Sequence, residues 1–424
     1  MGKFTPRDNI IIQSFSVKGG LIECKIKVSE GIRRYFTSDS FFIEYDEDLS
    51  GIPESLLICP FIASLLALAW ITDSVIWVNE IDRTFYESLS RIREAYQDIY
   101  YFTTLKGRVV PSIYIDNYLS INESKNKSII LFSGGADCHA SLIRNLDKTP
   151  ILCNIQGWYK SKEDVDKVAE ADKKDIGNFA KQFSLPFSFV RSNFATIINQ
   201  KAFDKDYKSK LGDSLWHGFL HSMAFISIAI PLAYKHSISE IIIASSLTTG
   251  LNFLCASNST TDSEFRYALE GRCSHDGFEL HRQNKIKVIT DFQRKLNRPY
   301  FMRVCSFNDS NCCECEKCFR TVLGIVAENS NPEDFGFNID KSLKDHWQDV
   351  MNKRIALMGF SSEKSLHWPH IIKRMKANYK DMSKEKQEFV DWFLSYDFQG
   401  EKKKAVKKYY RDNFFEIVKR KLKS

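Results

Sequence analysis

Between residues 128 and 247, four short apolar runs at 129–132, 151–155, 187–190 and 240–244 alternate with stretches of helical spacing at 139–146, 162–182 and 218–234. The apolar runs are too short for helices and read as strands buried on both faces. Strands and helices in that alternation leave few architectures open. The expected one is an α/β fold with a doubly wound parallel sheet and helices on both faces. Ligands of such sheets bind beyond the carboxyl ends of the strands. The tips Gln156-Gly157, Ser192-Asn193 and Ser245-Ser246 would line that cleft.

The first strand exit is the most informative. Residues 128–144 read SIILFSGGADCHASLIR, with the small residues Ser133, Gly134, Gly135 and Ala136 between strand and helix and with Asp137 and Cys138 where the helix begins. Adjacent glycines allow positive φ and close backbone approach, and a helix N-terminus adds free N–H donors and the positive end of a dipole. Such a loop cradles an anion, and a phosphate or pyrophosphate is the expected guest. It is not a Walker A loop, since no Gly-Lys-Ser/Thr follows, and it lacks the three spaced glycines of a dinucleotide fingerprint.

The string SGGADC resembles the SGGxDS signature of the PP-loop ATP pyrophosphatases, whose fold is adenine nucleotide alpha hydrolase-like. The resemblance implies ATP held by Ser133, Gly134, Gly135, Ala136, Asp137 and Cys138, and cleavage to AMP and pyrophosphate. Cys138 stands where that family usually has Ser or Thr, and a thiol is the weaker hydrogen-bond donor.

A second motif lies downstream. Cys305 is followed by Cys312-x2-Cys315-x2-Cys318, and four thiolates at ~2.3 Å in a tetrahedron make a closed zinc site of the structural kind. An iron–sulfur cluster uses the same ligands. Cys313 breaks the x2-x2 register and reads as spare.

Together the two motifs, with His275-Asp276-Gly277 and Arg282-x2-Lys285 between them, resemble the 7-cyano-7-deazaguanine synthase family over about residues 128–324. NCCECEKCFRT (311–321) is similar to the Asn-Cys-Gly-x-Cys-Glu-Lys-Cys-x-Arg-Thr segment of large synthase-like proteins, with Cys313 where Gly is usual. The resemblance implies zinc on Cys305, Cys312, Cys315 and Cys318, with ATP and Mg²⁺ at the glycine loop. The chemistry implied is adenylation of a deazaguanine carboxylate, such as that of 7-carboxy-7-deazaguanine, followed by amide formation. Ser133 and Asp137 are the expected catalytic residues, and no side chain stands out as a nucleophile. The acceptor would be ammonia or, as in synthase-like components of anti-phage operons, the N-terminus of a partner protein.

Residues 248–285 are rich in Ser, Thr, Asp and Gly and poor in periodicity, which reads as a loop. As a substrate-binding lid it would turn Arg282 and Lys285 to polyphosphate and Asp276 to an amine or amide. As a solvated loop it would do neither.

The expected division is threefold. Residues 1–125 make a β-rich unit with a helical insert, 126–328 the PP-loop domain with the zinc segment 305–318, and 329–424 a helical, basic C-terminal region. Lys18-Gly19-Gly20 suits a hairpin turn, and polar residues 122–127 suit a linker. The apolar stretch 55–78 is broken by Pro60 and by Thr72-Asp73-Ser74, so it reads as a buried helix and a strand, with no membrane partner. Of eleven cysteines, five lie between Cys305 and Cys318 and the rest are scattered, which fits a reducing cytoplasm. The leading MGKFTPRDN carries no export signal.

The whole charge excess sits in one place. Residues 401–424 hold ten lysines and arginines against three acidic residues, equal to the net +7 of the entire chain. Val406, Tyr410, Phe414 and Val418 would make the apolar stripe of a docking helix. The rival reading, a tRNA-thiolating PP-loop enzyme, would use this tail and its Tyr409, Tyr410, Phe414 and Phe415 on RNA, but nucleic acid is not the favoured partner. A third reading is a nucleotide-binding scaffold subunit without catalysis. A second copy of the chain is allowed as a partner.

Overall fold

The computed structural model describes residues 8–120, 127–157, 162–249, 254–305, 310–358 and 367–413. They form two compact units, Met1–Glu279 and Leu280–Ser424.

The first unit is built on a single sheet. Its leading half comprises β1 (Asn9–Lys18), β2 (Leu21–Val28), α1 (Glu30–Arg33), β3 (Ser40–Tyr45), α2 (Glu54–Leu57), α3 (Cys59–Thr72), β4 (Val75–Asp82), α4 (Arg83–Ile99) and β5 (Arg108–Ile115). Next come β6 (Ile129–Leu131), α5 (Ala136–Arg144), β7 (Ile151–Gln156), α6 (Lys162–Gln182), β8 (Phe187–Ser192), α7 (Gln200–Leu211) and α8 (His221–Lys235). The unit closes with β9 (Glu240–Ala244), α9 (Ser259–Asp262), β10 (Arg266–Tyr267) and β11 (Gly271–Asp276). All eleven strands join in the order β10-β11-β9-β6-β7-β8-β3-β2-β1-β4-β5.

The expected strands and helices of 128–247 are present, and the sheet is mostly parallel. β11, β9, β6, β7 and β8 run parallel, with Ile129 of β6 facing Ile151 of β7 on one side and Ile241 of β9 on the other. Numbered along the chain, these strands lie in the order 3-2-1-4-5. The order therefore reverses between β6 and β9, and a crevice opens at the carboxyl ends of strands at such a reversal.

The expected boundary near residue 125 falls inside this sheet. β3 pairs antiparallel with β8, Tyr45 opposite Val190 and Ile43 opposite Ser192, so the N-terminal strands extend the central sheet. Side chains reinforce the seam: Ser192 Oγ donates to the Phe42 carbonyl at 2.7 Å, and the Asn193 side chain bonds Phe42 N at 2.9 Å and the Ser40 carbonyl at 2.9 Å. Residues Cys59 to Trp70 of α3 are all buried, as suits a helix apolar on every side. α3 packs on α8, and Tyr45 Oη donates to the Ile228 carbonyl at 2.8 Å. One apolar cluster thus runs from Ile10 to Cys273. The 20-residue helix Trp216–Lys235 could cross a membrane by length and composition, with a mean hydropathy of 1.3 over 18 of its residues, but 78% of that stretch is buried inside the protein.

Residues 248–285 are not the loop their composition suggests. Among the described ones, β11 pairs in parallel with β9 over five residues, from Arg272–Glu240 to Asp276–Ala244. GRCSHD carries no apolar pattern, and its strand form comes from the backbone ladder offered by β9.

The second unit is helical. It holds α10 (Arg282–Leu296), α11 (Glu316–Ala327), α12 (Leu343–Arg354) and the helices Trp368–Asn378, Lys384–Ser395 and Phe398–Asp412. Phe319 of α11 packs on Trp347 at 4.7 Å and on Phe398 at 5.7 Å between ring centroids, with Trp392 and Phe393 close by. The cysteine segment precedes α11 and therefore groups with this unit rather than with the sheet. On the last helix, of the expected stripe, Val406 is half-buried and Tyr410 is exposed. Phe414, Phe415, Val418 and the basic residues that follow lie outside the described residues, as do residues 1–7 and 122–126 of the expected linker.

Candidate functional site

The glycine loop follows β6 and lies at the reversal of strand order. Gly134 has φ of +76°, a left-handed conformation that a side chain would strain, and Gly135 is the N-cap of α5. Ser133 is exposed beside them, and Asp137 stands in the first turn of α5. The first N–H groups of a helix lack intrahelical acceptors, so this turn presents donors to the crevice.

Cys138 faces inward. Its Sγ lies 2.9 Å from the Gly135 carbonyl and 3.7 Å from Ser133 Oγ. Burial pushes this thiol up to about 11, so it stays protonated and braces the loop from beneath. His139 follows, wedged between the rings of Phe132 and Phe179 at 4.9 Å from each. Burial holds its imidazole down at about 3, against a hydrogen bond to the backbone carbonyl of Gly134.

Beside the loop, the end of β7 carries a polar group that its apolar pattern conceals. Asn154 donates to the Phe132 carbonyl at 2.9 Å, and Gln156 donates to Asn154 Oδ1 at 2.8 Å and to Asp172 of α6 at 2.5 Å. Sequence reasoning named Gln156 but missed Asn154 and Asp172. The available signal was two amides in an otherwise buried ILCNIQ strand. Gly157 has φ of +127°, and a Cβ there would meet the Ser192 carbonyl at 1.6 Å, so only glycine lets the β7 and β8 tips approach. Of the other expected tips, Ser192 and Asn193 are used in the seam to β3, and Ser245 N donates to the Asp276 carbonyl at 2.8 Å.

The three expected substrate residues fall on two elements, β11 and α10. Asp276 ends β11 and is held by the loop helix, accepting from Ser141 Oγ at 2.7 Å and Arg144 Nε at 3.3 Å. Arg282 and Lys285 belong to α10 of the second unit, where Lys285 is buried. Asp276 therefore anchors α5.

The expected metal ligands do converge. The Sγ atoms of Cys305, Cys312, Cys315 and Cys318 all lie within 4.8 Å of one another, and Cys312 and Cys318 are 3.9 Å apart. A tetrahedron of thiolates at ~2.3 Å from zinc has edges of about 3.8 Å, so the donor set and spacing fit a metal such as zinc. Cys315 is the N-cap of α11, and Glu314 N donates to Cys312 Sγ at 3.4 Å. Asn311 fixes the knuckle by bonding Val304 N at 2.9 Å and the carbonyls of Met302 and Gly336 at 2.8 and 3.0 Å. Cys313 has φ of +51° and is not one of the four. Its left-handed backbone turns the thiol out of the cluster, toward the Asn311 carbonyl at 3.7 Å.

Fold and site thus define an α/β protein with a mostly parallel sheet, a glycine loop at the strand reversal, and a helical second unit with a four-cysteine cluster able to hold a metal. No protein-family model, no curated protein and no solved structure matches the chain.

Proposed function

We propose that the chain is an ATP-dependent ligase of the PP-loop type. It adenylates the carboxylate of a 7-deazaguanine such as 7-carboxy-7-deazaguanine, releases pyrophosphate, and joins the acyl group to an amine. The observation that carries this reading is the SGGADC loop at the reversal between β6 and β9, with Gly134 at φ +76° and α5 opening behind it. Such a turn directs backbone N–H groups at a polyphosphate, where they stabilise charge developing on the leaving group. Ser133 adds a hydroxyl, and Asp137 is the residue we assign to Mg²⁺ or nucleotide positioning. A bound Mg²⁺ would supply further neutralisation of the pyrophosphate.

The cysteine cluster supports the same reading by its place in the chain, downstream of the loop, and a zinc ion there would hold the second unit together. The acceptor is ammonia or the amino terminus of a partner protein, the latter being the activity that would serve anti-phage defence. The test is pyrophosphate and AMP release by zinc-replete protein with and without 7-carboxy-7-deazaguanine. Stimulated release supports carboxylate adenylation. ATP binding without release under either condition would discard it in favour of the scaffold reading.

A further inference from the structure

A second group of reactive side chains stands at the leading end of the helix Trp216–Lys235, on the face of the sheet opposite α5. α5 lies in the crossover from β6 to β7, whereas α8 lies in the crossover that returns from β8 past β6 to β9. Right-handed crossovers in opposite directions put their helices on opposite faces of the sheet. α8 ends at Lys235 and β9 begins at Glu240, so the helix C-terminus sits at the amino end of the strand. The helix Trp216–Lys235 runs 20 residues, about 30 Å at 1.5 Å per residue, while the five residues of β9 span about 17 Å. The Trp216–His221 end therefore stands out beyond the carboxyl ends of the strands.

At that end Asp213, His217, His221 and Cys255 meet. His217 Nδ1 is 2.5 Å from Asp213 Oδ2, and His221 Nδ1 is 2.9 Å from the Trp216 carbonyl. Carboxylate and carbonyl accept, so each Nδ1 carries a proton and each Nε2 is left for another partner. The Cys255 thiol lies close enough to both imidazoles for them to favour its ionised form. The Cys255–Ala256 peptide is pinned in place. Ala256 N donates to the His217 carbonyl at 2.7 Å, and the Ala256 carbonyl accepts from Tyr96 Oη and Ser222 Oγ, each at 2.7 Å.

The electrostatics separate this cysteine from the other cysteines of the first unit. Burial pushes the thiols of Cys24, Cys59, Cys138, Cys153 and Cys273 up. Burial also opposes ionisation of Cys255, but His217 and His221 overcome it and bring the thiol down to about 6. His217 rises to about 9, through the nearby Cys255 and, against desolvation, its bond to Asp213. At neutral pH the pair is thiolate and imidazolium, a nucleophile with a base oriented by a carboxylate.

We infer that Cys255 is an acyl-transfer nucleophile, which takes the acyl group from the adenylate as a thioester and passes it to the amine. This rests on the adenylation reading above. The thiolate sulfur bonds the acyl carbon, and the carbon–oxygen bond to AMP breaks with its electron pair leaving on the phosphate. Once the sulfur is acylated, His217 has lost its anionic partner and gives its proton to water. The amine nitrogen then attacks the thioester, its proton passes to His217, and the carbon–sulfur bond breaks to regenerate the thiolate. The sum is adenylate plus amine giving amide, AMP and one proton. Asp213 is a positioning residue, holding the imidazole by Nδ1.

The experiment incubates the full chain with ATP and 7-carboxy-7-deazaguanine without an amine, quenches in acid, and reads pyrophosphate together with peptide mass. The expected result is an acyl adduct on Cys255 that neutral hydroxylamine removes and that C255A lacks. Pyrophosphate without an adduct overturns the thioester and leaves adenylation standing, whereas absence of pyrophosphate overturns adenylation itself. Iodoacetamide labelling of Cys255 across pH 5–9 reads the thiolate independently. Labelling half-maximal near pH 6, moving upward by at least one pH unit in H217A and in D213N, supports the pair. A midpoint at 8 or above in the unaltered chain, or no labelling of Cys255 at any pH, overturns it. C255S, which keeps the side-chain volume, controls for folding.

Discussion

Ser141 Oγ donates to Asp276 Oδ2 at 2.7 Å, tying the helix behind the glycine loop to the last parallel strand of the sheet. Ser141 is buried, and Arg144 meets the other carboxylate oxygen. Replacing Asp276 by Ala leaves the hydroxyl buried without its acceptor. The expected cost is about 1–3 kcal/mol of stability, read by urea denaturation, with S141A and D276A together costing less than the sum of the two alone.

His139 sets an acid limit. Its imidazole stays neutral to about pH 3 in the folded chain but protonates near 6.5 when unfolded. Between those values the unfolded state binds the extra proton, so stability falls as pH drops below 6.5, by up to about 1.4 kcal/mol per pH unit. At pH 5 the penalty is about 2 kcal/mol. Substitution H139F, between Phe132 and Phe179, should flatten this limb relative to the unaltered chain in denaturation curves at pH 7 and pH 5.

Gly134 tests the cradle. An alanine at φ +76° costs roughly 1–2 kcal/mol of backbone strain and turns N–H groups away from the crevice. G134A should weaken ATP binding by about ten-fold or more in isothermal titration, with a modest fall in melting temperature. Unchanged affinity would mean that ATP does not use this loop.

The cysteine cluster should hold one metal ion per chain, measured by elemental analysis. C318S should lose it and C313S keep it, because Cys313 lies outside the four converging sulfurs. Structural zinc is worth roughly 10–16 kcal/mol against the ~5–15 kcal/mol of a whole domain. Loss of the metal should therefore abolish the near-ultraviolet dichroism of the buried Trp347 and Trp392.

Much of the site was legible because it rests on local chemistry. A run such as Ile151–Gln156 can only be a covered strand, and two glycines between strand and helix mark a turn. The x2-x2 spacing puts Cys312, Cys315 and Cys318 within reach of one another whatever surrounds them. The group of Asp213, His217 and Cys255 was not legible in the same way. Asp213 and His217 sit one helical turn apart, but nothing in the 37 residues between His217 and Cys255 announces that the chain returns to the same helix end.

By itself the amino-acid sequence determined which segments would be buried strands, where a glycine turn opens a helix, and which cysteines could share a metal. These follow from hydrophobic period, from glycine's conformational freedom and from ligand spacing, all properties of a few neighbouring residues. Tertiary structure alone decided that the N-terminal strands extend the central sheet through Tyr45 and Val190, that the polar GRCSHD segment becomes a strand, and that Asp276 anchors a helix. Backbone ladders accept any side chain, so the choice of partner strand is made by the fold. The positive φ of Cys313 likewise separated spare thiol from ligand, a distinction that sequence spacing alone does not carry.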